Sequence, residues 1–368
     1  MTPDRSILSD ITVHMKYARF KPEEERRETW SEIVERNKAM HVEKFNLLYN
    51  NYIEFKNMLD NTYNLIQQKK VLPSMRSMQF GGKAIEVSNN RVYNCAFMPI
   101  DSINAFSEAM FLLLGGTGVG YSVQYDNINK LPIKQTMQDM IPIKYQIPDS
   151  IEGWADAVKM CVLSQLYGFP LDFDYNQIRP KGAILKTSGG RAPGHEPLKL
   201  CLEEIQKVLE NVNTGERMSS LNAHDIMCYL ADAVLSGGIR RAAMISLFDK
   251  DDNEMLLSKW SNGADGFWTE NPQRMRANNS VVLDRATVTK EDFERVWSVA
   301  RDNNSGEPGF YFTNDTTWGT NPCCEIGLKM HQFCNLTEIN VSDVEDKIDL
   351  AERVAAATFL GTLQASYT

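Results

Sequence analysis

An α/β fold is predicted by three features of this 368-residue chain. Strand-like apolar runs alternate with segments of helix length, the pattern of a parallel-rich sheet. Composition is globular, with 43% hydrophobic and 24% charged residues. No proline- or glycine-rich linker cuts the chain after residue 70 or so, and the length is enough for a sizeable core.

The elements follow in order. Residues from about 22 to 69 read as helix, because Glu23, Glu24 and Glu25 favour a helix start and Trp30, Ile33 and Val34 recur at helical spacing. The turn-rich LPSMRSMQFGGK follows. RVYNCAFMP reads as a strand that stops at Pro99, and DSINAFSEAMFLLL as a helix capped by Asp101 or Ser102. That helix ends in GGTGVG, and VGYSVQY resumes as a strand. A helix begins near Ser150 and runs through GWADAVKMCVLSQL. IRPKGAILKTSGGRAPG mixes strand signals with a glycine-rich loop. EPLKLCLEEIQKVLENV and NAHDIMCYLADAVL read as helices, the second between Asn222 as cap and Gly237 as stop. RAAMISLF, NNSVVLD and PGFYF are short strands, with a helix near residues 289 to 302. The last segment is an apolar helix whose Val354, Ala355, Ala356, Phe359 and Leu360 have no downstream partner, so an interface is expected there.

The formal charge of -9 argues against a general nucleic-acid binder, which would need clustered Lys and Arg. The first twenty residues hold no apolar run long enough for a signal peptide, and no later segment reaches membrane-span length, so a cytoplasmic protein without a membrane association is expected. Its seven cysteines, an odd and scattered set, are then mostly reduced, and any redox pair among them is catalytic.

NPCCEIGLKMHQFCNL, residues 321 to 336, is the densest constellation. It gathers Asn321, Cys323, Glu325 and Cys334 in one short segment. Three chemistries fit: a zinc site using Cys323, Cys324, His331 and Cys334, a nucleophilic thiol with Glu325 or His331 as base, or a radical or redox thiol beside a carboxylate. Packing of small cysteines in a core is the bland account. Cys95 alone reads as core. GGTGVG follows a helix and is not GxGxxG, so it reads as a helix-terminating turn.

NPC-x-EI followed by CNL resembles the finger loop of ribonucleotide reductases. LPSMR, YNCAF, GGTGVGYSV, IRPKGA with SGG, SGGIRRAA, RANNSV and GEPG fall in the order seen in that family, from about Tyr17 to the end. The resemblance implies that Cys323 is oxidised to a thiyl that takes the 3′-hydrogen of a ribonucleotide substrate. Glu325 would then be the base on the 3′-hydroxyl, and Asn321 would hold the ribose hydroxyls. Cys95 would protonate the leaving 2′-hydroxyl and close a disulfide with Cys334. Ser74, Asn94 and Gly116 match substrate-contacting positions. Asp101, Ser102, Arg179, Lys186, Arg240 and Arg241 match the places that read a deoxynucleoside triphosphate effector.

The family fold is a ten-stranded α/β barrel threaded by the finger loop. The resemblance implies the first half-barrel over residues 71–368, preceded by a helical region over 1–70. The segment before YARF leaves no room for the amino-terminal ATP cone of many relatives. The IPDSIEGWADAV segment is most similar to the adenosylcobalamin-dependent class, acting on ribonucleoside di- or triphosphates. Implied partners are a separately encoded carboxy-terminal half and a thioredoxin-like or dithiol reductant. Cys324 departs from the family, where a small non-thiol residue is usual. A non-catalytic nucleotide-binding remnant is the alternative.

Overall fold

The structure is a computed structural model and describes residues 3–184, 191–236, 242–260, 266–303 and 305–367. These residues form two compact units. One comprises the chain up to Asn94 and again from Cys334; the other runs from Cys95 to Phe333.

The first unit opens with helices α1 (Pro3–Lys16), α2 (Trp30–Lys44) and α3 (Ile53–Gln67). The helix expected from residue 22 starts later. Glu24 instead sits in the turn between the paired strands Phe20–Lys21 and Arg26–Arg27, where it bridges Lys21 and Arg26. Thr29 then begins α2 through a capping box with Glu32, which satisfies amides that a helix start leaves without partners. The expected face of Ile33 and Val34 is buried. Phe45 and Tyr52 interrupt the long helix read from sequence, and a short helix, Asn46–Asn51, lies between them.

The second unit is built on a six-stranded sheet, whose last strand carries the chain from Phe333 in this unit to Cys334 in the first. In chain order its strands are β1 (Cys95–Pro99), β2 (Gly118–Ser122), β3 (Met244–Asp249), β4 (Ala277–Asp284), β5 (Gly309–Thr313) and β6 (Phe333–Cys334), and in space they run β5-β4-β3-β2-β1-β6. The first five are parallel. Parallel neighbours need long crossovers, and helices α4 (Ile103–Gly115), α5 (Ile151–Tyr167), α6 (Glu196–Glu210), α7 (Ser220–Ser236) and α8 (Lys290–Asp302) occupy them. This agrees with the alternation read from sequence. The ten-stranded barrel is a larger object than the sheet described.

Local chemistry sets the helix ends. Ser150 caps α5 by accepting from Gly153 N, and Thr289 caps α8 in a capping box with Asp292. Gly116 ends α4 in the left-handed conformation at φ 89° that glycine adopts without strain. Helix α7 starts before Asn222: Ser219 and Asn222 exchange hydrogen bonds at 3.0 and 3.2 Å, so Asn222 is the inner member of that pair. Gly237, its expected stop, lies outside the described residues. The stripe Leu198, Cys201, Leu202, Ile205 and Leu209 of α6 packs with Ile226 and Leu230 of α7 and with Val119 and Tyr121 of β2 in one core. Full burial of such side chains contributes roughly 1.5–3 kcal/mol each.

The final helix, α9 (Lys347–Ala365), returns to the first unit. It has a partner after all. Leu360 and Leu363 are buried with Ile33, Leu59, Tyr63 and Ile66, and Ala356 packs with Val71. Phe359 meets Phe55 edge-on with ring centroids 5.5 Å apart. Sequence order hid this, because the partner of the last helix lies some 300 residues upstream (Leu360 against Leu59). Val354 stays exposed. No helix of the described residues is long and apolar enough to cross a membrane.

Candidate active site

The NPCCEI motif is a loop closed by its own flanks. Gly319–Thr320 and Gly327–Leu328 pair as a short antiparallel ladder. Between them Asn321 is fully buried and acts as a clamp. Its Oδ1 accepts from Ile326 N at 3.1 Å, its backbone oxygen accepts from Cys324 N at 3.0 Å, and its Nδ2 donates to Cys95 Sγ at 3.8 Å. Thr320 Oγ1 donates to Ile326 O at 3.0 Å. Cys323, Cys324 and Glu325 are left exposed at the tip. Cys324 sits at φ 67°, in the left-handed region that non-glycine residues enter at a cost.

The glycines of GGTGVG explain how the loop reaches Cys95. Side chains alternate across a strand, so Val119 and Tyr121 enter the helix-side core while Gly118 and Gly120 face the loop. A Cβ on Gly120 would lie 1.8 Å from Thr320 O. One on Gly118 would lie 3.1 Å from Pro322 Cγ and 3.5 Å from Cys95 Sγ. Across the contact, a Cβ on Gly319 would fall 2.0 Å from the Phe97 ring. The close approach these glycines permit is therefore to the cysteine loop, a role the sequence reading missed. The available signal was the spacing of two between Gly118 and Gly120 within a strand.

Partial burial, and then the negative Glu325, push the Cys323 thiol above its ordinary pKa. The same two causes raise Cys324, with a hydrogen bond involving Thr320 acting the other way. Tyr311, at the loop's flank, donates its hydroxyl to Gly319 O at 2.9 Å, and burial followed by nearby Cys324 raises it.

Asn321, Cys323, Glu325 and Cys95 thus fall together in the second unit. Cys334 is buried and belongs to the first, where its carbonyl accepts from Asn94 N at 3.0 Å. Asn94 Oδ1 is buried without a hydrogen-bond partner among the described residues. Ser74, also in the first unit, has its hydroxyl in use: it accepts from Ser77 N at 2.9 Å and donates to Val92 O at 3.3 Å. Among the described residues no group of three or more His, Cys, Asp or Glu is gathered as metal ligands, so the zinc alternative finds no assembled site there.

Of the residues matched to effector reading, Asp101 lies 3.9 Å from Lys130, and Ser102 holds the cap position of α4 without a side-chain hydrogen bond. Arg179 is bound to Asp149 at 2.6 Å. Its neighbours Ile178 and Pro180 line a cleft of about 510 Å³ with Lys144, Phe173, Tyr175 and His195. Lys186, Arg240 and Arg241 lie outside the described residues.

No family model matches the chain. It is 28% identical to an adenosylcobalamin-dependent ribonucleoside-triphosphate reductase of Lactobacillus delbrueckii subsp. bulgaricus, covering 90% of this chain and 54% of that protein. It is also 28% identical to a probable enzyme of the same name from Dictyostelium discoideum, covering 90% and 48%. A solved B-12 dependent (class II) ribonucleotide reductase superposes with a TM-score of 0.77 at 24% identity, over 99% of this chain and 60% of that one. The chain therefore spans about half the length of the curated relatives it matches.

Proposed function

We propose that this chain, related in sequence to adenosylcobalamin-dependent ribonucleotide reductases and sharing their fold, carries the thiol-radical site of such an enzyme. The observation that carries the reading is the exposed Cys323 on a loop clamped by buried Asn321, whose amide donates to Cys95. A thiol suits hydrogen transfer, because its S–H bond is weak enough to break and remake. Cys323 as a thiyl takes the 3′-hydrogen of the ribose and later returns it. Glu325, two residues away, accepts the proton of the 3′-hydroxyl. Cys95 protonates the departing 2′-hydroxyl, which leaves as water. Cys95 and Cys334 together give up two protons and two electrons and join as a disulfide, which a dithiol or thioredoxin-like protein reduces again. Asn94 would take a ribose hydroxyl, a role that its buried Oδ1, without a hydrogen-bond partner among the described residues, supports.

Adenosylcobalamin, when bound, supplies the one-electron oxidation of the Cys323 thiol. Exposure of Cys323, Cys324 and Glu325 at the loop tip fits approach by so large a group, and these are the residues that would meet it. The names of the relatives favour ribonucleoside triphosphates as substrate. A deoxynucleoside triphosphate effector is assigned to Asp101, Ser102 and the segment after Arg179; the cleft lined by Ile178 and Pro180 also holds Phe173, Tyr175 and His195 together with the carboxylates Asp172 and Asp174.

The completed site takes in the rest of the ten-stranded barrel. Edge strand β5 offers a place for it: Phe293, Phe310 and Phe312 form a stacked row, and Phe293, Trp297 and Phe312 are exposed. The test combines this chain with a polypeptide bearing the remaining half of a relative, adenosylcobalamin, a dithiol and a ribonucleoside triphosphate. Deoxynucleotide should form, and Cys323→Ala should abolish it while Cys324→Ala leaves most of it. No product from a stable complex would favour the nucleotide-binding remnant, and loss on Cys324→Ala alone would reassign the thiol.

A further inference from the structure

Two features at the loop tip lie outside the reaction just described. A second thiol, Cys324, adjoins Cys323, and its backbone is held in the left-handed region at φ 67°. Both thiols are exposed, whereas Cys161, Cys201 and Cys228 are buried in the helical core and Cys334 is also buried. We propose that Cys323 and Cys324 form a redox latch: a two-electron oxidant joins them into an internal disulfide that withdraws Cys323 from chemistry, and a dithiol reopens it.

The chemistry balances with one named class of oxidant. A peroxide converts one exposed thiol to a sulfenic acid with loss of water, and the adjacent thiol displaces a second water as the S–S bond forms. A low-molecular-weight disulfide does the same by exchange, releasing two thiols. Adjacency makes the second step intramolecular, which raises its rate far above encounter with another thiol. It also makes the product labile. Neighbouring Cα atoms across a trans peptide stand about 3.8 Å apart, shorter than the usual separation of roughly 4.4–6.8 Å for disulfides. The ring is therefore strained, and strained, exposed disulfides are the readily reduced ones. A structural cross-link would not be built this way, whereas a reversible one would.

The clamp beneath the tip supports the same conclusion. Asn321 ties the loop to Ile326 and to Cys95 through side-chain hydrogen bonds that involve neither tip thiol. Closing the Cys323–Cys324 bond therefore leaves that anchorage in place, and reduction returns the same loop. The proposal depends on the reading of Cys323 as the radical thiol only for its consequence, and bond formation itself is read without any turnover.

The experiment treats the full chain with hydrogen peroxide or a small disulfide at graded concentration. Free thiols are then counted and the linkage mapped by peptide mass. The expected result is one peptide holding both Cys323 and Cys324 two hydrogens lighter, mapped apart from any Cys95–Cys334 linkage and restored by dithiothreitol. Phenylarsine oxide, a probe for paired thiols, should bind the reduced tip with release of one water and be blocked by prior oxidation. Cys324→Ser should lose both the linkage and the arsenical adduct at this site. A Cys323–Cys95 linkage, separate sulfinic acids at Cys323 and Cys324, or retention of all thiols would each overturn the latch. Disulfide formation in a chain that is inactive when completed would leave the latch standing and remove the catalytic reading.

Discussion

The seven cysteines fall into contrasting environments, and the sharpest contrast is between the loop tip and the helical layer. Cys323 and Cys324 are exposed on a turn held by Asn321. Cys161, Cys201 and Cys228 lie in helices α5, α6 and α7 with apolar neighbours, and burial drives all three thiols well above the ordinary range. Cys228 even faces a ring nitrogen, with its Sγ 3.7 Å from His224 Nε2, while His224 Nδ1 and the Tyr121 hydroxyl lie 2.8 Å apart. That triad resembles a catalytic arrangement in residue type alone. It has no access, and its histidine is kept neutral by burial. Residue type does not make a reactive thiol; exposure and a fixed loop do.

The largest expected difference is in alkylation. Iodoacetamide should label Cys323 and Cys324 in the native chain, while Cys161, Cys201 and Cys228 label only on unfolding. Because the tip thiols are also raised, labelling should be slow at neutral pH and climb about tenfold per pH unit until their raised pKa is reached. Equal labelling of helix and tip thiols in folded protein would erase the distinction.

Mutating the glycines beneath the loop tests whether it is held by packing. Gly120→Ala places a methyl 1.8 Å from Thr320 O and should destabilise by about 1–3 kcal/mol. Gly327→Ala, whose nearest neighbour would be the Trp318 ring at 3.6 Å, should cost well under that. Denaturant melts of the two variants make the comparison, and equal costs would mean that the loop shifts freely.

The buried layer has its own pH signature. Burial lowers His224 from 6.5 to about 3, so the unfolded chain binds a proton that the folded chain refuses. Stability contributed by the neutral ring is present above pH 6.5 and is lost as pH falls toward 3, with a slope of up to roughly 1.4 kcal/mol per pH unit. His41 in the first unit, lowered to about 4 by burial, adds to the same fall. His224→Gln should flatten part of that slope in acid unfolding curves, and an unchanged slope would assign it to other groups.

Much of this was legible beforehand because it is local. The alternation of strands and helices depends on side-chain periodicity, and β1, α4, β2 and α5 through α8 lie where the periodicity placed them within a few residues. The cysteine loop was legible because Asn, Cys and Glu crowd a segment too polar for core. Less local features were misread. Glu23 to Glu25 look like a helix start, yet Lys21 and Arg26 draw Glu24 into a turn and the start moves to Thr29.

By itself, then, the sequence determined the parallel α/β class, the tip residues Cys323 and Glu325, and the similarity to a family of reductases. The tertiary structure decided which groups meet. It put Asn321 on Cys95, across 226 residues of chain, at a close approach that Gly118, Gly120 and Gly319 permit by carrying no Cβ. It also gave the last helix a partner near the start of the chain, against the expectation of an open interface. The physical reason is the same in both cases. Periodicity and caps act over a few residues, whereas burial pairs surfaces without regard to their distance along the chain.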